Sequence, residues 1–110
     1  MIYEKMVSSW DNLQISDYID LLHDDYQFVM HTTGKVSNMK TMDPDLIMKF
    51  MNSTEYENRR CIYENEEVLV EHRIANFPSG DREAVLLVHL KKDGLLWKTE
   101  TGATPLPVKN

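Results

Sequence analysis

Hydrophobic and polar positions change rhythm along this chain, and each change marks an element. Ile2, Tyr3, Met6, Val7 and Trp10 recur at i, i+1, i+4, i+5 and i+8, the stripe of one helical face. Asp11-Asn12 interrupts the stripe. Ser16 or Asp17 can cap a second, shorter helix by accepting from its free amides, with Tyr18, Ile19 and Leu22 on the apolar side and Asp24-Asp25 as its end. Residues 26–32 read as a strand, and Gly34 with Lys35 turns the chain into a short partner strand around Val36. Asp43-Pro44 starts a third helix, because an acid caps it and a proline's missing N–H costs nothing at the first position. Leu46, Ile47, Phe50 and Met51 are its buried stripe, and Asn52-Ser53 ends it.

Residues 56–101 change to an alternating pattern rich in β-branched and aromatic types, and predict four antiparallel strands. The turns are Asn65-Glu66, the corner Pro78-Ser79-Gly80-Asp81, and Asp93-Gly94, whose sequence suits a type I′ turn with positive φ at both positions. Turn length sets register. Lys92 then opposes Leu95, Leu90 opposes Trp97 and Val88 opposes Thr99; Val70 opposes Val88, His72 opposes Leu86 and Ile74 opposes Ala84; Tyr63 opposes Val68, Cys61 opposes Val70 and Arg59 opposes His72. One face thus gathers Tyr63, Cys61, Val68, Val70, Ile74, Leu86, Val88 and Trp97, with a polar end at Arg59, His72 and Thr101. The other carries Leu69, Glu71, Arg73, Val85, Leu87, His89, Leu96, Lys98 and Glu100, charges of both signs among too many aliphatic groups for plain solvent exposure. Three helices in so short a chain cover one face. The apolar face is therefore expected to line the interior, and the mixed face to pair with a second copy through Leu69, Val85 and Leu87.

Composition narrows the class. The chain has 110 residues, 42% hydrophobic and 27% charged, enough for a single domain over residues 1–110 with one core. A net charge of −6 with no basic cluster beyond Arg59-Arg60 and Lys91-Lys92 argues against nucleic acid and against anionic membrane surfaces. No apolar run is long enough to span a bilayer, and the N-terminus has no apolar signal core. The single cysteine, Cys61, cannot form an intrachain disulfide; it fits a reducing cytoplasm and reads as a small buried hydrophobe within a strand.

Two helices, a strand pair, a helix and a long meander form an order that resembles the nuclear transport factor 2-like superfamily, which includes the SnoaL-like proteins. The residues carrying the resemblance are Leu21-Leu22-His23-Asp24-Asp25-Tyr26, Asp43-Pro44 and Asp93-Gly94-Leu95. The stretch Arg59-Arg60-Cys61-Ile62-Tyr63-Glu64-Asn65 is similar to one in SnoaL-like proteins of uncharacterised function. The resemblance implies an α+β cone, a strongly curved, mostly antiparallel mixed sheet wrapped around three helices. It also implies a small apolar ligand inside and a homodimer through the outer sheet face. Aligned at Asp24-Asp25, the catalytic aspartate of the family's ketosteroid isomerases falls on Met30 and their oxyanion-hole tyrosine on Met6. Neither thioether moves a proton, so that chemistry is not expected. Scytalone dehydratases use histidines in the cone, for which this chain offers His72 and His31.

His72 is the candidate general base, among apolar neighbours and opposite Arg59. Arg59 suits a carboxylate or enolate-like oxygen, or an ion pair with Glu57 or Glu71. Trp10, Tyr18, Phe28, His31, Phe50, Tyr63 and Trp97 complete the expected pocket, and Met30, Met39, Met42, Met48 and Met51 crowd around the third helix as adaptable wall. No His-x-x-x-His, Cys-x-x-Cys, phosphate loop or serine elbow is present, so neither metal nor cofactor is expected. Two readings result: a domain binding a small apolar molecule, or an isomerase or dehydratase acting on a small apolar carbonyl compound through His72.

Overall fold

A computed structural model describes residues 1–31, 33–38 and 43–107, apart from the side chains of Leu46 and Phe50. The elements are α1 (Ile2–Asp11), α2 (Ile15–Ile19), β1 (Leu22–Met30), β2 (Lys35–Ser37), α3 (Pro44–Ser53), β3 (Glu55–Glu64), β4 (Val68–Asn76), β5 (Arg82–Lys92) and β6 (Leu95–Leu106). Asp43 caps α3, its carboxylate accepting from the Asp45 amide at 3.0 Å. Helix α2 departs from expectation: Gln14 precedes it, so Ser16 and Asp17 lie inside, and β1 begins at Leu22, taking Asp24-Asp25 into the strand.

The strands form one six-stranded sheet in the order β2-β1-β6-β5-β4-β3. All neighbours are antiparallel except β1 and β6, which run parallel. The last strand therefore lies between the first and the fifth. Helices cover the concave side, where Ile2 and Met6 of α1, Tyr18 of α2 and Ile47 and Met51 of α3 pack on Leu22, Tyr26, Leu69 and Leu96. The architecture is the expected α+β cone with an open sheet. No helix among the described residues is long and apolar enough to cross a membrane.

The three turns sit where the sequence places them. Asp93 and Gly94 have φ of 55° and 76°, as a type I′ turn requires. Asn65 holds its turn by accepting from the amides of Glu67 and Val68, both at 2.8 Å. The β4–β5 register is the expected one, with Val70 opposite Val88, His72 opposite Leu86 and Ile74 opposite Ala84.

The other two registers are corrected. The turn at Asn65 is longer than two residues, so Glu64 pairs with Leu69 and Tyr63 with Val70; shifts along β3 then set Cys61 opposite Glu71 and Arg60 opposite His72, and restore the expected register at Glu57, opposite Ile74. The β5–β6 register is changed by a bulge. Between β5 and β6, Lys92 opposes Leu95, but a shift at Leu90/Lys91 then sets His89 opposite Thr99 and Val88 opposite Glu100.

The larger correction concerns which face is inside. Leu69, Glu71, Ala75, Val85, Leu87 and His89 are buried, so the mixed face of β4 and β5 is the concave one. By strand alternation Val70, His72, Leu86 and Val88 lie on the convex side. Leu69, Val85 and Leu87 are thus interior residues and not a dimer surface. Cys61 is exposed, because β3 is the edge strand and is bulged there.

Candidate functional site

Between the helices and the concave sheet lies a cavity of about 610 Å³. Each element contributes to its wall: Met6, Val7 and Trp10 from α1, Tyr18 from α2, Tyr26, Phe28 and Met30 from β1, Ile47 from α3, and Tyr56 and Arg59 from β3. The central strands add Glu71, Arg73, Ala75, Val85, Leu87, His89, Thr101 and Ala103. In β1 the even-numbered residues point inward, which is why Tyr26, Phe28 and Met30 share the wall.

A buried polar chain runs across four of the strands. Tyr26 donates its hydroxyl to Thr99 Oγ1 at 2.6 Å, Thr99 Oγ1 meets His89 Nδ1 at 2.6 Å, and His89 Nε2 meets Glu71 Oε2 at 2.6 Å. One polarity satisfies every group with a neutral imidazole: the threonine accepts from Tyr26 and donates to Nδ1, leaving Nε2–H to donate to the carboxylate. The sheet order brings them together. Thr99 lies between its parallel neighbour β1, which carries Tyr26, and its antiparallel neighbour β5, which carries His89; Glu71 is one strand further on β4. Burial raises the Tyr26 pKa far above its ordinary value, only partly offset by the Thr99 bond, so this phenol is a fixed donor at neutral pH.

Beside this chain is a cluster of arginines and aromatic rings. Arg73 lies over the Tyr56 ring, 4.3 Å from its centroid, and Arg59 lies 5.9 Å from the same ring. Trp10 meets Tyr18 edge-on, with centroids 5.2 Å apart and planes at 76°, and tilts against Tyr56 at 6.4 Å. Burial raises the pKa of Tyr18 and, less strongly, of Tyr56. Arg59 Nη2 donates to both carboxylate oxygens of Asp11, at 2.6 and 2.9 Å. Asn58, with φ of 54°, makes the bulge that turns Arg59 toward α1. Arg73 is less engaged: its Nη1 lies 3.9 Å from Glu71 Oε1, and its buried Nε has no hydrogen-bond partner among the described residues.

Of the residues singled out from sequence, Trp10, Tyr18, Phe28 and Arg59 line the cavity. His72 does not: it sits on the convex side between the inward Glu71 and Arg73. His31 lies past the end of β1, 58% exposed and 3.6 Å from Glu100. Tyr63 is exposed on the edge strand, and Trp97 lies outside the wall with Lys92 stacked on its ring at 5.6 Å. The Phe50 side chain, Met39 and Met42 lie outside the described residues. Met6 and Met30, where the resemblance puts the isomerases' tyrosine and aspartate, both face the cavity and are thioethers.

Glu71, Arg73, His89 and the Tyr26–Thr99 link were not identified from sequence as a site. Glu71, Arg73 and His89 had their signal in the mixed-charge face, too aliphatic for water; Thr99 was expected on the opposite face, with Trp97. Among the described residues no group of three metal-ligating side chains converges. The chemistry available to the wall is that of a positioned carboxylate–imidazole pair, which can hold or pass a proton, and a guanidinium whose Nε has no partner among the described residues.

No family model matches the chain, and no curated protein matches it. Solved structures share the fold. An NTF2-like protein of unknown function from Cytophaga hutchinsonii superposes with a TM-score of 0.67 at 10% identity, over 93% of this chain and 86% of that one. A protein of ketosteroid isomerase-like fold from Catenulispora acidiphila, solved with trimethylamine, gives 0.61 at 8% identity over 92% and 83%. An LEH-like epoxide hydrolase of M. tuberculosis gives 0.66 at 11% identity over 93% and 79%. At such identities the likeness carries the fold, the nuclear transport factor 2-like cone, and nothing about activity.

Proposed function

We propose that the cone binds a small, largely apolar molecule and orients one polar group of it against Arg73, Glu71 and His89. The observation that carries this is the 610 Å³ aromatic and aliphatic cavity with a few convergent buried polar groups in one wall. A neutral ketone probe such as 4-phenylbutan-2-one is expected to shift the Trp10 indole and the Arg73, Ala75 and Val85 amide signals in a ¹H–¹⁵N spectrum. Shifts confined to the convex face, or none at all, overturn the proposal.

A second reading rests on the Tyr26–Thr99–His89–Glu71 chain. An isomerase or dehydratase acting on a small apolar carbonyl compound would use the Glu71–His89 pair as its general base, in the role first given to His72. Exchange of the ketone's α-protons in D₂O, catalysed by the wild type and lost in Glu71→Gln, supports it; equal exchange in both removes it.

The same proposal has the protein act as a homodimer in a reducing cytoplasm, where its one cysteine stays a thiol. The dimer surface is the convex face, with Leu86 of β5 44% exposed and Tyr63 of β3, opposite Val70, 56% exposed.

A further inference from the structure

We infer that the molecule held in the cone is a monoanion, an apolar carboxylate whose oxygens engage Arg73. This rests on the proposal that the cone binds a ligand at all, and adds the ligand's charge.

The first observation is a sign reversal. The chain carries −6 overall, yet the described cavity wall holds the cations Lys35, Lys49, Arg59 and Arg73 against the carboxylates Glu71 and Glu83. Lys35 and Lys49 are exposed, so they stand at the mouth, where positive charge raises the local concentration of an anion.

The second observation is how the charges inside are committed. Arg59 is paired with Asp11 through Nη2. Glu71 is committed through Oε2 to His89 and comes no closer to Arg73 than 3.9 Å. Arg73 is left with its face on Tyr56, a buried Nε without a partner among the described residues, and a side chain only 18% exposed. A buried guanidinium donor left unmet is costly, and a carboxylate matches the guanidinium fork with two parallel bonds. The rest of the wall sets the body of the ligand: Trp10, Tyr18, Phe28 and Tyr56 favour an aryl or branched alkyl group. Arg73 offers one guanidinium fork, enough for one carboxylate. A dicarboxylate or a phosphomonoester would leave a second charge unpaired in an apolar wall, at a large desolvation cost.

The test is a calorimetric or NMR titration of the full chain with two near-isosteric probes, 4-phenylbutyrate and 4-phenylbutyramide. The acid is expected to bind about ten-fold tighter than the amide at low ionic strength, an advantage that shrinks with added salt. In Arg73→Met the advantage of the acid over the amide disappears; Arg73→Lys, which keeps the charge but not the fork, retains part of it. Equal binding of acid and amide by the wild type, or a preference for the acid that survives Arg73→Met, overturns the inference and leaves the cavity proposal standing. Failure of both probes and of the neutral ketone overturns the cavity proposal itself. Where Arg73→Met does not fold, the ratio in Arg73→Lys decides: an acid preference undiminished there overturns the inference.

Discussion

His89 of β5 and Glu71 of β4 meet at 2.6 Å with their side chains 4% and 2% exposed. A buried ionisable pair of this kind contributes little net stability relative to an apolar pair, but breaking it strands a polar group without water. Replacing only Glu71 by Leu is expected to lower unfolding stability by about 3–5 kcal/mol, and the Glu71→Leu/His89→Leu double variant to recover much of that loss. Urea unfolding of the two single variants and the double variant measures the coupling; additive losses would show that the pair does not act as a unit.

Thr99 is the one hydroxyl joining Tyr26 to His89. Thr99→Val keeps the shape and removes both bonds, for an expected cost of about 2 kcal/mol or more, whereas Thr99→Ser keeps the oxygen and loses a methyl, at about 1 kcal/mol. Tyr26→Phe removes one bond and leaves Thr99 free to serve His89, so it is expected to be milder than Thr99→Val. Thermal or chemical denaturation gives the order.

Acid sensitivity should centre on Glu64. Its carboxylate accepts from Lys91 Nζ at 2.7 Å and from the amides of Ile2 and Tyr3 at 2.9 and 3.3 Å, so it ties β3 to β5 and to the start of α1. Burial alone would raise its pKa; the Lys91 bond and the two amides outweigh burial and hold it below the ordinary 4.5. A folded-state pKa below the unfolded one contributes stability that is fully present above the unfolded value and is lost as pH falls through the folded one. Stability measured from neutral pH down through 4.5 should therefore fall less steeply in Glu64→Gln than in the wild type, from a lower starting value. Parallel curves would show that Glu64 is not the group responsible.

The convex face gives a separate handle. Leu86 is 44% exposed and opposes His72 there. Leu86→Glu removes no core contact, so folding stability should change by less than about 0.5 kcal/mol, while sedimentation should shift from dimer to monomer. A wild type that sediments as a monomer at high concentration overturns the dimer proposal.

How far the chain could be read from its residues differs between local and non-local features. Asp93-Gly94, Asn65 and Asp43-Pro44 carry their geometry in their own backbone preferences, so turns and helix starts were legible. So was the β4–β5 register, where apolar matched apolar. The choice of inner face was not. Apolarity alone puts Val70, Leu86 and Val88 inside and Glu71, Arg73 and His89 on the outer face. The fold does the opposite, because Glu71 and His89 satisfy each other, Arg73 rests on Tyr56, and Thr99 arrives from β6 to close the chain. Those compensations lie between strands. The bulges at Asn58 and near Trp97 were equally hidden, since each adds one residue to a strand without changing its composition. The candidate base moved with the face: parity exchanged His72 for His89.

The parallel seam of β1 and β6 also has a consequence for how the protein is made. Tyr26 and Thr99 are 73 residues apart, and β6 fills the slot between β1 and β5. While segment 95–106 is still inside a ribosome, β1–β2 and the β3–β5 meander are two separate pieces with open edges, and the hollow between them has no back wall. Pairing at such separation is slow, because loop closure precedes any gain from contact. Until β6 docks, Leu69, Val85 and Leu87, buried in the finished cone, stay open to their surroundings.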